Sequence, residues 1–408
     1  MAAIQLMKSV LEDYVCKAND CIQIKLVRSE SDVFDDSKGF QPEFTHQLFG
    51  QNENIFGYKG LKIQLFYTAA KLTPYLNKVC TSEIKKNMFD GVQADDVLKV
   101  ISDKLEIPIV DNLDKFIARI PEDADFTPTG TLLHSYPKES DDTTKYYEIY
   151  KNTIDVPGFQ EYHKRLQTFL WWYIDAAASY IDDDDDRWMY FTLFERYMVD
   201  GKKQYALVGY GTVYNYYAYP NRIRPRISQV LVLPPYQRQG HGLAFLETMY
   251  NDFRADSDVL DITVEDPSDE FVRLRDYLDC RNCMSLPAYV KDKLPQGYND
   301  DMAKEALEKF KINKKQARRV YEILRLRVTD HSNPEEMKAY RLDVKQRLNI
   351  PFQKQKSDYE KLKKVLKPEE LTAAMEGTGT QERQDTLETW YQELMTFYRQ
   401  VLERLAMA

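Results

Sequence analysis

The chain has 408 residues, of which 43% are hydrophobic and 30% charged. This composition supports packed cores and excludes disorder throughout the chain, and the length predicts two or three domains. We expect neither a membrane span nor a secretory signal, because no apolar run reaches roughly 18–20 residues and the first residues lack a basic region followed by an apolar one. The five cysteines are few and scattered, which favours a reducing compartment, cytosol or nucleus, over a disulfide framework.

The net charge of −9 is unevenly distributed along the chain. Residues 309–368 contain 18 Lys and Arg against 7 Asp and Glu, so the remainder is more acidic than the total suggests. An acidic body repels nucleic-acid phosphates and favours a basic partner, although an acidic surface also serves solubility alone. The basic segment is a candidate surface for a partner or for nuclear import, for which Lys314, Lys315, Arg318 and Arg319 form a weak signal.

Residues 1–125 are predicted to form a mixed α/β domain. The segments 22–27 and 61–67 alternate apolar and polar residues with period two, as half-buried strands do. The segment 95–105 has helical spacing with acidic residues in its first turn. The stretch 121–130 is rich in Pro, Asp, Thr and Gly, and it marks the first boundary.

Residues 126–285 follow a β-β-β-turn-α-β-α order, which predicts an α/β layer with a partly parallel sheet. Strands are predicted at 146–150, 188–197, 205–217, 227–233 and 259–264. Helices are predicted at 159–174, from the glycine-bearing turn after the strand 227–233 to about residue 253, and at 268–278.

Residues 286–408 are predicted to be helical. Helices are expected at 303–328, 334–348 and 353–366, followed by a flexible segment at 375–380. The last helix carries one apolar stripe at three- and four-residue spacing, which packs on the chain's own core or enters a groove of a partner. Its members are Leu387, Trp390, Tyr391, Leu394, Phe397, Tyr398, Val401, Leu402 and Leu405.

The most informative pattern is Gln237-x-x-Gly240-x-Gly242, between a short apolar strand and a helix. Glycines there let the backbone approach a ligand, and the N–H groups at a helix start can hold a pyrophosphate. The spacing is neither the Walker pattern nor the dinucleotide fingerprint. Taken alone, it is also compatible with an ordinary turn.

With its flanking strands, this turn resembles the acetyl-CoA site of the GNAT N-acetyltransferase superfamily, whose signature is Gln/Arg-x-x-Gly-x-Gly/Ala. The resemblance implies that the backbone of Val230, Leu231 and Val232 pairs with the pantetheine arm. It also implies a pyrophosphate site made by Gln237, Arg238, Gln239, Gly240, His241, Gly242 and Leu243. We expect His241 to make a structural hydrogen bond, and the N–H of Val232 to meet the oxyanion.

Longer strings resemble the type B histone acetyltransferase catalytic subunits. They include Phe44-Thr-His-Gln-Leu-Phe-Gly, Gly130-Thr-Leu-Leu-His, Arg165-Leu-Gln-Thr-Phe-Leu and Leu260-Asp-Ile-Thr-Val-Glu-Asp-Pro-Ser, and the resemblance spans residues 22–372. It implies an α/β (α+β) fold with a mixed amino-terminal domain at 1–125, a GNAT core at 126–285 and a helical domain at 286–408.

This resemblance also implies a reaction and its partners. Acetyl-CoA would be the co-substrate, with no metal, and the substrate would be lysines in the tail of newly made histone H4, carried with its histone dimer partner. A WD-repeat histone-binding chaperone would be the partner, and the protein would divide between nucleus and cytoplasm. No direct contact with nucleic acid or membrane is implied.

The predicted acid-base group is Glu265. A free lysine amine has a pKa near 10.4, so its attack on a thioester needs a base. Glu265 ends the predicted strand 259–264, and we expect it in a water-poor cleft that raises its pKa. The resemblance makes Glu265 the general base and gives Asp266 and Asp175 the part of nearby carboxylates. From the residues alone, a helix cap or a solvated acid is favoured over a catalytic base at Glu265.

The substrate side is expected to be acidic and aromatic. The run Asp182–Asp186 is either a solvated loop or a surface that attracts a basic tail. The resemblance implies that Tyr162, Trp188, Tyr214, Asn215 and Tyr216 line a histone groove, with cation–π faces. It also implies a histone contact through Glu53, the one charged residue of the loop 51–53.

Two other functions remain open at this point. One is a GNAT enzyme that acetylates a small amine or a protein α-amine, against which the acidic and aromatic residues argue. The other is a histone-binding scaffold without turnover, against which the glycines and Glu265 argue.

Overall fold

The computed structural model describes residues 10–86, 91–140, 143–175, 181–182, 184–362 and 380–407. The chain forms two compact units, the first made of residues 1–216 and 225–252 and the second of residues 217–224 and 253–408. The polypeptide therefore passes from one unit to the other three times. None of the helices within the described ranges is long and apolar enough to cross a membrane.

The first unit begins with short strands and helices that precede its main sheet. In chain order these are β1 (Val15–Lys17), α1 (Ala18–Cys21), β2 (Ile22–Val27), α2 (Glu30–Phe34), α3 (His46–Phe49), β3 (Asn54–Phe56), β4 (Tyr58–Lys59), β5 (Lys62–Thr68), β6 (Pro74–Val79), β7 (Ser82–Glu83), α4 (Val97–Leu105) and α5 (Leu113–Ile117). Strand β2 pairs in parallel with β5, which pairs antiparallel with β6. The strands predicted at 22–27 and 61–67 are confirmed, because their alternate apolar residues are buried.

The main sheet of the first unit is built from long strands. They are β8 (Thr131–Ser140), β9 (Thr143–Asn152), β10 (Trp188–Val199), β11 (Lys202–Ala218) and β12 (Arg222–Val232), accompanied by α6 (Phe159–Gln167), α7 (Leu170–Tyr173) and α8 (His241–Ala255). The strand order is β12-β11-β10-β9-β8, with antiparallel pairs between β8 and β9, β9 and β10, and β10 and β11. The helix predicted at 159–174 is divided into α6 and α7.

A glycine in β11 lets helix α8 approach the sheet closely. A Cβ atom on Gly211 would lie 2.8 Å from Cε of Met249 and 3.3 Å from a ring carbon of Phe245, both on α8. Because the glycine has no side chain, these two apolar residues pack directly on the strand. The start of α8, which carries the predicted cofactor turn, is thereby fixed relative to β11.

The second unit is mainly helical. Its elements are β13 (Thr263–Val264), α9 (Asp269–Cys283), α10 (Asp300–Phe310), α11 (Lys314–Val328), α12 (Pro334–Leu348), α13 (Ile350–Leu362) and α14 (Thr380–Met407). The predicted strand at 259–264 is reduced to β13 and to parallel bridges from Val259 to Ile223 and from Ile262 to Ile312. The helix predicted at 303–328 is broken at Lys311, whose φ is 56°. Strands and helices occur in both units, so the predicted mixed α/β class is confirmed.

The apolar stripe of the last helix packs within the second unit. Helix α14 contacts α9, α11 and α12. The side chains of Leu387, Tyr391, Tyr398, Val401 and Leu405 are buried. The prediction that this stripe covers the chain's own core is therefore confirmed. Residues 375–379 of the predicted flexible segment lie outside the described residues.

Several arginines of the basic segment point inward. Arg319 pairs with Asp276 at 2.6 Å, and Arg318 and Arg325 pair with Asp343 at 2.7 and 2.5 Å. Arg318 and Arg319 are only 18% and 23% exposed. These two arginines are therefore engaged with carboxylates of the second unit, which the sequence pattern does not reveal, and the import signal stays a prediction.

Candidate functional site

The predicted cofactor turn joins strand β12 to helix α8. It begins with a short 3₁₀ turn at Pro234–Tyr236, and then Arg238 and Gly240 adopt φ values of +60° and +87°. A Cβ atom on Gly240 would meet no described atom within 4 Å, so this glycine is needed for its backbone conformation and leaves open space beside it. The N–H groups of Leu243 and Ala244 donate to the Gly240 carbonyl at 3.1 and 3.2 Å, which starts the helix.

Two glutamines of the turn bond to its own backbone. The side-chain amide of Gln237 donates to the carbonyl of Val232 at 2.9 Å, and that of Gln239 donates to the carbonyl of Pro235 at 2.9 Å. In this structure Gln237 therefore ties the turn to the end of strand β12. These bonds reduce the number of backbone conformations open to the turn.

The end of β12 presents its backbone groups alternately to its two edges. The Leu233 N–H donates to the carbonyl of Val208 on β11 at 2.9 Å, and the Leu231 carbonyl faces Gly209 of β11. Since backbone groups alternate along an antiparallel strand, those of Val230 and Val232 are directed to the opposite edge. Of the three residues predicted to pair with a pantetheine arm, Leu231 is thus turned toward β11.

His241 fixes the start of α8 on the sheet. Its Nδ1 atom and the Tyr136 hydroxyl share a hydrogen bond of 2.8 Å, and its ring centroid lies 4.2 Å from that of Tyr147. Burial lowers the pKa of His241 to about 4, so the imidazole is neutral at physiological pH. Next to it, the Lys138 ammonium donates to the Gln239 carbonyl.

The predicted base, Glu265, lies in the second unit directly after β13. Its side chain is exposed, whereas we expected a water-poor cleft. The N-cap residue of α9 is Ser268, whose hydroxyl accepts from the Phe271 N–H at 3.3 Å. Asp266 follows with a φ of 29° and is exposed as well. Two consecutive carboxylates are therefore accessible at this strand end.

The structure brings Asp175 and Glu53 together around a histidine. His46 Nε2 lies 3.2 Å from an Asp175 oxygen, and its Nδ1 lies 3.9 Å from Glu53. The Glu53 carboxylate accepts from the N–H groups of Thr45 and His46 at 2.7 and 3.2 Å, which lowers its pKa and caps α3. Sequence reasoning did not single out His46, although it lies within a string that carried the family resemblance.

A row of aromatic rings follows the paired ends of β10 and β11. Trp188 pairs in register with Tyr214, and their ring centroids are 4.9 Å apart. The Tyr214 ring lies 4.7 Å from that of Tyr216, over which the Arg226 guanidinium sits at 4.5 Å. The intervening Asn215 donates its N–H to the Arg187 carbonyl at 3.0 Å. Tyr216 is 40% exposed, and the Arg187 guanidinium lies 4.9 Å from the Tyr214 ring centroid, so two rings of this row already hold cationic side chains of the chain itself.

The acidic run at 182–186 is partly neutralised. Asp183 lies outside the described residues, but Asp185 accepts from Arg187 at 2.9 and 2.7 Å and from the Tyr214 hydroxyl at 2.9 Å. The hydrogen bonds from Arg187 hold the pKa of Asp185 well below its usual range. This carboxylate is already engaged and orients Tyr214.

Tyr162 does not line an accessible groove. Its ring is buried 5.2 Å from that of Phe126, and its hydroxyl donates to the Ala70 carbonyl at 2.9 Å. The predicted substrate contact is therefore wrong for Tyr162. Its place on the apolar face of α6 commits it to the core.

Comparisons with known proteins show which family this sequence matches. The family described as "Histone acetyl transferase HAT1 N-terminus" matches residues 14–175, and "Histone acetyltransferase type B catalytic subunit, C-terminal" matches residues 275–326. Proteins named histone acetyltransferase type B catalytic subunit from Rattus norvegicus and Homo sapiens are each 48% identical, covering 97% of this chain and 94% of their own. A relative of the same name from Mus musculus is 47% identical.

Among solved structures, an aminoglycoside acetyltransferase from an uncultured soil metagenomic sample is similar over 32% of this chain and 84% of that chain. The TM-score is 0.23 and the sequence identity 19%. A TM-score this low supports no conclusion.

Proposed function

The chain belongs to the family of histone acetyltransferase type B catalytic subunits, and we propose from this that it transfers the acetyl group of acetyl-CoA to lysines in the tail of newly made histone H4. The single observation that carries the proposal is the 48% identity over 97% of the chain to relatives of that name. Family membership also confirms the resemblance inferred from the sequence.

The turn before α8 has the properties that a pyrophosphate site requires. Gly240 leaves open space, and the first N–H groups of a 15-residue helix carry partial positive charge. Residues 237–243 would hold the pyrophosphate, and the outward backbone groups of Val230 and Val232 would bind the pantetheine arm. When bound, acetyl-CoA supplies an acetyl thioester.

The protein's own part in the reaction is proton removal and charge stabilisation. Glu265 would accept a proton from the lysine ammonium, which makes the amine nucleophilic. The Val232 N–H, directed away from β11, would donate to the oxygen on which negative charge develops. Asp266 and Asp175 would attract the cationic side chain before it loses its proton.

The substrate surface is supported by charge and by aromatic rings. The row formed by Trp188, Tyr214 and Tyr216 would offer a cationic side chain the ring surface that Arg187 and Arg226 leave uncovered, and Glu53 and Asp175 add negative charge around His46. We further propose a WD-repeat histone-binding chaperone as partner and a distribution between nucleus and cytoplasm. Both follow from the family resemblance.

The substrate class is tested with labelled acetyl-CoA, offered with either free core histones or a panel of small amines. We expect label on H4, and label on the small amines alone would refute the proposal.

The role of Glu265 is tested with Glu265→Gln, with Glu270→Gln in the first turn of α9 as the matched control. We expect Glu265→Gln to retain acetyl-CoA binding and to lose about 10²–10⁴-fold in kcat near neutral pH. Unchanged turnover in Glu265→Gln would exclude it as the base.

A further inference from the structure

We propose that Arg28, Glu195 and Tyr236 form a clamp that positions the turn at 237–243 and thereby sets the affinity for acetyl-CoA. All three residues belong to the first unit. The inference rests on the proposed use of acetyl-CoA and assigns positioning residues to that site.

The clamp is built on a buried carboxylate. Glu195 lies on β10 and is 2% exposed, so its charge requires a partner. Arg28, directly after β2, supplies one with both arms of its guanidinium, with Nη1–Oε1 and Nη2–Oε2 distances of 3.2 and 2.5 Å. Arg28 is itself held in place, because its N–H donates to Asp32 at 2.9 Å and its guanidinium lies 4.6 Å from the Tyr197 ring centroid.

The same guanidinium reaches the residue that precedes the turn. Nη2 of Arg28 donates to the Tyr236 hydroxyl at 2.7 Å. Tyr236 is buried and follows two prolines, and the Gln237 N–H donates to the Pro234 carbonyl at 3.2 Å. The hydroxyl of Tyr236 therefore fixes the position at which the turn begins.

The far end of the turn is held separately. Lys138 donates to the Gln239 carbonyl, and Tyr136 shares a hydrogen bond with His241. Between these ends Arg238 adopts a positive φ, which is unfavourable for a residue with a Cβ atom. A backbone in such a conformation persists only when its surroundings fix it. We infer that the clamp keeps the N–H groups arranged for the ligand before it binds.

A clamp that only stabilises the fold would behave differently from one that positions the turn. In the first case its loss lowers the melting temperature and leaves the KM values of the folded enzyme unchanged. In the second case the KM for acetyl-CoA rises, while kcat and the KM for histone do not change. Comparing the two KM values with kcat therefore separates these roles.

The decisive variants are Tyr236→Phe, which removes only the hydroxyl, and Arg28→Lys, which keeps the positive charge but loses the paired guanidinium N–H groups that bind both Glu195 oxygens. The matched control is Tyr150→Phe, because Tyr150 is equally buried at 8% and its hydroxyl donates to the carboxylate of Glu148 at 2.6 Å. We expect the KM for acetyl-CoA to rise about 3–10-fold in the first two, as the loss of one hydrogen bond predicts. The control is expected to change neither KM.

Direct titration with acetyl-CoA should show the same loss of affinity in Tyr236→Phe. If Arg28→Lys fails to fold, Tyr236→Phe still decides, because its ring remains in place. Unchanged acetyl-CoA affinity in folded Tyr236→Phe, or an equal change in Tyr150→Phe, would overturn the clamp. A wild-type protein that does not bind acetyl-CoA would instead overturn the proposed function.

Discussion

The substitution Glu322→Gln should destabilise the second unit strongly. Glu322 lies on α11 with a fully buried carboxylate that accepts from Arg318 at 3.0 Å, from Arg347 at 2.6 and 2.8 Å and from the Tyr398 hydroxyl at 2.9 Å. Glutamine keeps the shape but removes the charge, and its NH₂ group would face arginine donors. Removing one member of a buried ionic cluster costs about 3–5 kcal/mol.

The loss can be measured by urea unfolding followed by circular dichroism. With a slope of about 1–3 kcal/mol per molar urea and a loss of about 3–5 kcal/mol, the midpoint should fall by roughly 1–5 M. Hydrogen exchange should show faster opening of α11 and α14, which the Glu322–Tyr398 bond joins. Glu122→Gln is the control, because its pair with Arg119 is about half exposed and contributes less than about 1 kcal/mol. A loss no larger than that of the control would refute the reasoning.

Three further outcomes are expected. Burial raises the pKa of Asp279 to about 6, so this carboxyl group loses its proton at a lower pH in the unfolded chain than in the folded one. The free energy of unfolding should therefore fall as the pH rises from about 4 to 6.5, and Asp279→Asn should remove this slope. An equal slope in the variant would contradict the reasoning. Gly240→Ala should weaken acetyl-CoA binding about 5–30-fold in a titration, because the φ of +87° at Gly240 is unfavourable for alanine. Gly201→Ala is the control: its φ is +77°, but it lies outside the turn, so acetyl-CoA binding should not change. Tyr162→Phe should lower the free energy of unfolding by about 1 kcal/mol without changing the KM for histone. Trp188→Ala should raise the KM for histone about 3–30-fold. A raised KM in Tyr162→Phe and an unchanged KM in Trp188→Ala would return Tyr162 to the substrate surface.

The periodic spacing of apolar residues predicted individual strands and helices. The strand at 22–27 and the stripe on α14 were predictable because their apolar residues repeat with the period of the element. Strand β8 was not predicted, since its residues do not alternate and it contains Pro137. A proline is tolerated there because β8 lies at the edge of the sheet.

Contacts between distant residues could not be predicted from the sequence. The pair of Arg28 and Glu195 joins positions 167 residues apart, and no periodicity connects them. Similarly, the sequence does not distinguish an aromatic residue that lines a surface groove from one that packs in a core. Tyr162 and Tyr214 were therefore given the same role, although only Tyr214 lies in the row of rings with the exposed Tyr216.

The three passages of the chain between the two units have a consequence for its synthesis. Strand β12 and helix α8, which flank the cofactor turn, each contain residues of both units. No single proteolytic cut can therefore yield the two units as separate, complete polypeptides. On the ribosome, the first unit still lacks its closing helix until residue 252 has emerged, which delays formation of the ligand site until well past the middle of the chain.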